Sequence, residues 1–211
     1  MKTDQLIEAL ARNVEPVERP KWARRMAITV IAGVLIAVVA VVLTIGARPD
    51  IGTAMMPVMM KAGFSALAAA IVLPVTVQLM KPGRPLGWRI GAIVVFVALC
   101  AIVVIVALMG TPSEQRMSAW MGGDFPWCLV LIPILAAPTA AGLVWIMRAL
   151  APTRLTLSGA AIGAFSGGVG AMAYAMYCPV DSIAFVTTWY TLAIALCAAL
   201  GALIGSKFLR W

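Results

Sequence analysis

Cysteine is the residue type with the widest chemical scope in this chain. Cys128 and Cys178 each lie at the end of a long apolar stretch, whereas Cys100 and Cys197 fall inside such stretches. Two thiols at the same membrane face can form a disulfide or bind a soft metal ion. Cys128 and Cys178 are therefore candidate sensing or metal-binding residues. Two unrelated small interfacial residues are an equal alternative, because the sequence does not fix their separation.

Methionine sulfur is a second candidate ligand. A predicted outer loop, RPDIGTAMMPVMMK, contains Met55, Met56, Met59 and Met60. Thioether sulfur favours Cu(I), which makes this cluster a candidate metal site. Flexible side chains that fill gaps at a membrane interface are the simpler interpretation, and we favour it.

The residues of common catalytic sites are missing from the sequence. It contains no histidine, Walker loop, nucleophile elbow or paired-carboxylate motif, so nothing favours a hydrolase or a kinase. The lack of a CxxC pair argues against a thiol–disulfide enzyme. No charged residue falls well inside a predicted span, which argues against ion-coupled transport. We therefore expect neither an enzyme nor a cofactor.

The composition is that of a membrane protein. Hydrophobic residues make up 63% of the chain and charged residues only 11%, against about a quarter in soluble domains. Six apolar stretches have the length of about 20 residues that a membrane span requires. They cover residues 26–47, 62–80, 90–110, 127–147, 157–177 and 183–205. Because lipid cannot satisfy open backbone groups, we expect an all-α integral membrane bundle of six transmembrane helices.

The distribution of lysine and arginine orients these spans. Of the 16 basic residues, most precede the first span, follow the sixth, or lie between spans two and three or four and five. Only Arg48, Lys61 and Arg116 lie on the opposite side. Because basic residues concentrate in cytoplasmic loops, we expect both termini in the cytoplasm. The net charge of +8 then needs no nucleic-acid partner.

This orientation divides the chain into three parts. Residues 1–25 form a cytoplasmic N-terminal segment, residues 26–206 a transmembrane domain, and residues 207–211 a short cytoplasmic tail. Cys128 and Cys178 then face outward, where we expect external alkylating reagents to reach them.

The N-terminal segment carries a predicted amphipathic helix over residues 3–14. Its apolar positions follow helical spacing and are Leu6, Ile7, Leu10 and Val14. A helix of about twelve residues is marginal alone in water, so its apolar face must rest on something. A partner protein and the lipid surface are equally supported, and the four residues are candidates for partner binding.

Small residues recur every fourth position in the last two spans. The fifth span carries Gly159, Gly163 and Gly167. The sixth carries a matching row, Ala193, Cys197, Gly201 and Gly205. Such rows lie on one helix face and allow close backbone approach, so we expect these two helices to pack against each other.

Several motifs along the chain combine into a recognisable pattern. They are MKTDQLIEALA at the start, CLVLIPILAAP from Cys128, RALAPT, GAMAYAMYCPVDSIAFVTTWY around Cys178, and the closing GALIGSKFLRW. With six spans and two outer cysteines, the chain resembles the NrsF-type membrane anti-sigma factors over nearly its whole length.

The resemblance implies a function. Members of this family hold an extracytoplasmic-function (ECF) sigma factor at the bacterial inner membrane. An envelope redox or heavy-metal signal acts on two periplasmic cysteines, which correspond to Cys128 and Cys178, and releases it. The implied partners are the sigma factor and the lipid bilayer, without direct nucleic-acid binding; the oligomeric state is not implied. Tyr177 stands where related sequences often carry histidine, which favours thiol redox sensing over a multi-ligand metal site.

A small six-span permease or metal exporter is the alternative. The six predicted spans and the methionine cluster support it. The lack of an evident internal repeat argues against it.

Overall fold

The computed structural model describes residues 22–80, 85–123, 125–150 and 152–209, which form seven helices and no strand. The helices are α1 Trp22–Ile45, α2 Met55–Leu79, α3 Trp88–Met109, α4 Arg116–Met121, α5 Trp127–Arg148, α6 Leu155–Tyr174 and α7 Ile183–Phe208. All except the short α4 are long and apolar enough to cross a membrane. The predicted all-α class with six membrane-length helices is confirmed.

Helix α6 is the centre of the bundle and the most buried of the long helices. It packs most extensively against α7, and also against α2, α5 and α1. Helix α3 lies at the periphery, where it contacts α2 and the start of α7. The outer surface is apolar, with Ile31, Leu35, Val95 and Ile102 each more than half exposed. An exterior of this kind matches hydrocarbon surroundings better than water.

The connections at one end of the bundle, residues 46–54, 110–126 and 175–182, define what we call the cysteine end. A buried cluster there includes Cys128, Ile132, Tyr174, Cys178, Phe185 and Tyr190. A second buried cluster towards the opposite end includes Leu143, Met147, Ile162, Phe165 and Leu209. Two helices contain a π-helical turn near the first cluster. Helix α1 ends in one at Val41–Ile45, and α7 contains one at Val186–Tyr190.

The start of α2 differs from the prediction. The helix begins at Met55, so the methionine cluster forms its first turns and does not lie in a loop. Pro57 does not prevent this, because a residue in the first turn of a helix needs no backbone N–H. All four methionines are on the outer surface, with exposures between 54% and 70%. The same shift brings Lys61 into the helix.

The first and last long helices extend slightly beyond the limits predicted for the transmembrane domain, while the division into three parts stays a prediction. Helix α1 begins at Trp22 and α7 ends at Phe208, a few residues beyond the predicted 26–206. The predicted partner-binding positions Leu6, Ile7, Leu10 and Val14 lie outside the described residues, so their role stays a prediction.

Candidate functional site at the cysteine end

Both candidate sensing thiols are in the protein core. Cys128 is in the first turn of α5, and Cys178 follows the end of α6 by four residues. They belong to the same buried cluster, and each is 0% exposed. All four cysteines of the chain are buried thiols. Neither thiol is open to an external reagent in this conformation, so labelling of Cys128 and Cys178 requires a local opening of the structure.

The turn after α6 fixes the position of Cys178. The backbone N–H groups of Tyr177 and Cys178 donate to the carbonyl of Tyr174, at 3.0 and 3.1 Å. The thiol of Cys178 donates to the carbonyl of Val180 at 3.8 Å. These bonds shape the hairpin between α6 and α7, which we call the Cys178 hairpin and define as residues 175–182.

Four charged residues form a charge cluster at the Cys178 hairpin, one of them from the hairpin itself: Arg48, Asp50, Lys61 and Asp181. The ammonium of Lys61 lies 2.7 Å from a carboxylate oxygen of Asp181. It also donates to the backbone carbonyls of Cys178 and Val180, at 2.7 and 2.9 Å. All three N–H donors of Lys61 thus have acceptors, which compensates the burial of a side chain that is only 3% exposed.

Arg48 ties the same hairpin to the connection between α1 and α2. Its guanidinium donates to both carboxylate oxygens of Asp50, at 2.7 and 2.8 Å, and to both of Asp181, at 2.9 and 3.3 Å. Its remaining N–H points to the carbonyl of Cys178 at 3.5 Å. The backbone N–H of Arg48 donates to the carbonyl of Met176 at 3.0 Å. Two buried cations from two different elements therefore hold the hairpin that carries Cys178.

The carboxylates of the charge cluster remain ionised well below neutral pH. The hydrogen bond from Arg48 lowers the pKa of Asp50. Burial acts to raise the pKa of Asp181, but hydrogen bonds from Arg48 and Lys61 outweigh this and lower it. Hydrogen bonds to Asp50 and then Asp181 raise the pKa of Arg48. The cluster contains two positive and two negative charges and is therefore neutral overall. We call it the clamp, because its ion pairs and hydrogen bonds hold the Cys178 hairpin in place and do not form an acid–base centre.

Lys61 corrects the expectation that no charged residue falls inside a span. It is the seventh residue of α2, and it is buried. The sequence does contain a signal for this, since Lys61 is the only charged residue between Met55 and Leu79. A lone charge in a membrane-length apolar run predicts a buried partner. Treating Lys61 only as an orientation signal missed its pairing with Asp181.

The connection between α3 and α5 packs against the buried cluster that contains both thiols. The indole N–H of Trp189 donates to the carbonyl of Trp120 at 2.8 Å, and the indole N–H of Trp120 donates to Thr188 at 3.2 Å. The ring of Phe125 lies 4.4 Å from that of Trp189. Gly122, with φ +58°, brings the chain so close that an added Cβ would lie 2.7 Å from Phe185. We call residues 116–123 together with Phe125 the tryptophan loop.

The backbones of α6 and α7 contact each other along the middle of α6, from Gly159 to Gly167. A Cβ added at Gly159 would overlap the carbonyl oxygen of Gly201, and one at Gly163 would overlap that of Cys197. A Cβ at Gly167 would lie 2.9 Å from the Cβ of Cys197, and one at Gly205 would lie 2.6 Å from the Cα of Gly159. The two helices thus touch backbone to backbone over about two turns.

The structure limits which side chains could bind a metal ion. Within residues 22–80, 85–123, 125–150 and 152–209, no group of three or more histidine, cysteine, aspartate or glutamate side chains could hold a metal ion. Any metal on Cys128 and Cys178 would need further ligands of another kind. Met55, Met56, Met59 and Met60 face outward and provide no enclosed site.

The fold defines a multi-pass helical protein, compatible with a membrane, with a clamped and buried thiol site at one end. The chain belongs to the NrsF family, described as negative regulator of sigma F, which matches residues 10–211. This confirms the resemblance found in the sequence. The probable anti-sigma-F factor NrsF of Azospira oryzae is 33% identical over 214 residues, covering 100% of both chains. The anti-sigma-F factor NrsF of Caulobacter vibrioides is 34% identical over 217 residues, again with 100% of both chains covered. No solved structure matches this chain.

Proposed function

We propose that this protein is a non-enzymatic, membrane-bound anti-sigma factor. It binds an ECF-type sigma factor on the cytoplasmic side of the bacterial inner membrane and keeps it from RNA polymerase. The observation that carries this proposal is the full-length similarity to two proteins named anti-sigma-F factor NrsF. Six membrane-length helices support the membrane location.

The proposed orientation has both termini in the cytoplasm and the cysteine end in the periplasm. The excess of lysine and arginine at the opposite end supports it. In this orientation the N-terminal segment, with the apolar positions Leu6, Ile7, Leu10 and Val14, is available to dock a sigma factor. The lipid bilayer is the second partner, and direct nucleic-acid binding is not part of the proposal.

The proposed signal acts on Cys128 and Cys178. An envelope oxidant or a thiol-binding metal modifies them when the tryptophan loop opens. The modified Cys178 shifts its backbone carbonyl, which accepts a hydrogen bond from Lys61, and so weakens the charge cluster. Because α6 and α7 pack backbone to backbone, tilting the Cys178 hairpin moves their cytoplasmic ends, and the sigma factor is released.

Family membership favours this regulator over a six-span permease or metal exporter. The one charge found within α2 also fits a regulator. Lys61 is bound to Asp181 and two backbone carbonyls, whereas a transport path needs a charge that water or substrate can reach. The oligomeric state is not part of the proposal.

Co-purification tests the proposal. The full-length chain is purified from solubilised membranes of its host, and bound sigma factor is identified by mass spectrometry. We expect Leu10→Asp to lower its recovery about tenfold or more, because burying a leucine contributes about 1.5–3 kcal/mol. Gln5→Asp adds the same charge on the predicted polar face and is the matched control. Absence of any sigma factor from the wild-type sample contradicts the function, while undiminished recovery with Leu10→Asp contradicts only the docking segment.

A further inference from the structure

A lateral cleft of about 530 Å³ lies between α2, α3 and the start of α7. Its inner wall includes Phe64, Phe96, Cys100 and Val186. Its rim carries side chains that are 53–60% exposed, namely Met60, Leu67, Leu99 and Ile183. The cleft therefore opens sideways, towards the surroundings of the bundle. Its volume is within the range of about 300–1,000 Å³ that small-molecule sites occupy.

The cleft runs from the cysteine end to the middle of the bundle. Along α2 it is lined from Pro57 to Leu67. At 1.5 Å per residue, this segment covers about 15 Å of helix axis. Half of a hydrocarbon core is also about 15 Å thick. The cleft thus has the depth of one lipid leaflet.

The end of the cleft nearest the hairpin is polar and has spare hydrogen-bond acceptors. Lys61 and Asp181 line it. The three N–H donors of Lys61 are all engaged, so Lys61 has none left for a ligand. The Asp181 side chain is 37% exposed, and among the residues that the structure describes its Oδ2 atom accepts one hydrogen bond, from Arg48 at 3.3 Å. A molecule entering this end meets a carboxylate oxygen that still accepts hydrogen bonds.

We infer that the cleft binds a phospholipid whose headgroup carries a primary ammonium, with an acyl chain between α2 and α3 and the ammonium on Asp181. The apolar walls match the chain. An ammonium donor carries a positive charge that attracts the carboxylate of Asp181, whereas a glycerol hydroxyl donates as a neutral group on a headgroup whose net charge is negative. A trimethylammonium group has no N–H to donate. The bound lipid contacts Asp181 and Val186, and so supports the Cys178 hairpin; this site does not depend on the sigma-factor proposal.

Photolabelling tests this site. The full-length protein is reconstituted into phosphatidylcholine vesicles that contain a trace of phosphatidylethanolamine with a photoactivatable acyl chain. Phosphatidylglycerol with the same chain is the matched probe, and labelled residues are mapped by mass spectrometry. We expect the ethanolamine probe to label Phe64 and Phe96 about threefold more than the glycerol probe does, following the stronger headgroup bond. Both probes should label the exposed α1 face at Ile31 and Leu35 equally.

Two variants separate the headgroup from the chain. Leu67→Trp narrows the exposed rim without touching the charge cluster, and we expect it to reduce labelling of Phe64 and Phe96 by both probes. Asp181→Asn should abolish the difference between the probes and leave chain labelling in place. Equal labelling of the cleft by both probes in the wild type overturns the headgroup assignment. Cleft labelling no stronger than labelling of the α1 face shows unspecific boundary lipid and overturns the site.

Discussion

At the residue scale, Arg48 and Lys61 determine how the cysteine end is held together. Both are buried, and each directs its N–H donors to carboxylates and to backbone carbonyls of the Cys178 hairpin. Breaking a buried ion pair leaves an uncompensated charge, which costs more than the pair contributes. Asp181 is the shared acceptor of both cations and is therefore the residue whose loss affects the clamp most.

Replacing Asp181 by asparagine should destabilise the protein by about 2 kcal/mol, the size of a hydrogen bond to a charged group reduced for partial exposure. We expect a lower Tm for purified Asp181→Asn in detergent. Asp50→Asn is the matched control, because Asp50 is exposed and binds only Arg48 among the cations. An Asp181→Asn protein with an unchanged Tm would contradict the clamp.

The charge cluster should make the stability of the protein depend on pH in a defined way. The pKa values of Asp50 and Asp181 are lowered in the folded protein, so their contribution to stability is present above the ordinary aspartate pKa of about 3.9. It is lost as the pH falls through the lowered values. We expect the difference in Tm between wild type and Asp181→Asn to stay constant from pH 8 to 5 and to shrink below about pH 4. A difference that already shrinks between pH 7 and 5 would contradict this assignment.

At the element scale, the contact between α6 and α7 and the tryptophan loop have separate roles. The helix contact leaves no room for a side chain at Gly163, so the two helices are held at backbone distance. The tryptophan loop packs against the buried cluster through Trp120 and Phe125, which both contact Trp189 of α7. We expect the first feature to hold the helix pair together as one unit and the second to limit access to Cys128 and Cys178.

Gly163→Ala should lower the Tm even though alanine favours helices more than glycine by about 1 kcal/mol. The added methyl group overlaps the carbonyl of Cys197 and forces the helices apart, and overpacking of this kind costs about 1–3 kcal/mol. Gly91→Ala in α3 is the matched control, since its Cβ would meet nothing within 4 Å. We expect Gly91→Ala to keep or raise the Tm; equal effects of the two changes would contradict close packing.

Trp120→Ala should expose the thiols of Cys128 and Cys178. Loss of its indole removes the bond to Thr188 and the packing against Trp189. Weakening the closed loop by about 1.4 kcal/mol raises its open fraction, and thus the maleimide labelling rate, about tenfold. Trp88→Ala, at a tryptophan 73% exposed on α3, should leave labelling slow. Fast labelling of both thiols in the wild type would show that the loop does not protect them.

At the scale of the whole molecule, the sequence predicted what depends on local pattern. Apolar length predicted six long helices, and the four-residue spacing of Gly159, Gly163 and Gly167 predicted a helix contact. The charge cluster was missed because Arg48 and Asp181 are 133 residues apart, and no local pattern pairs them. The burial of Cys128 and Cys178 was missed for a similar reason, since the residues packed around them come from other elements. The start of α2 was predicted too late in the chain, because its first turn contains Pro57 and was assigned to the preceding loop.

Transcription that depends on the captured sigma factor tests most directly whether the cysteine end controls the opposite end of the bundle. A reporter is measured before and after a thiol oxidant in cells carrying the wild type, the Cys128→Ser Cys178→Ser variant, or the Cys100→Ala variant as a control that removes a thiol outside the α6–α7 contact. We predict that the first variant loses the response and that the control keeps it. A normal basal level together with a normal response in the Cys128→Ser Cys178→Ser variant would contradict the account.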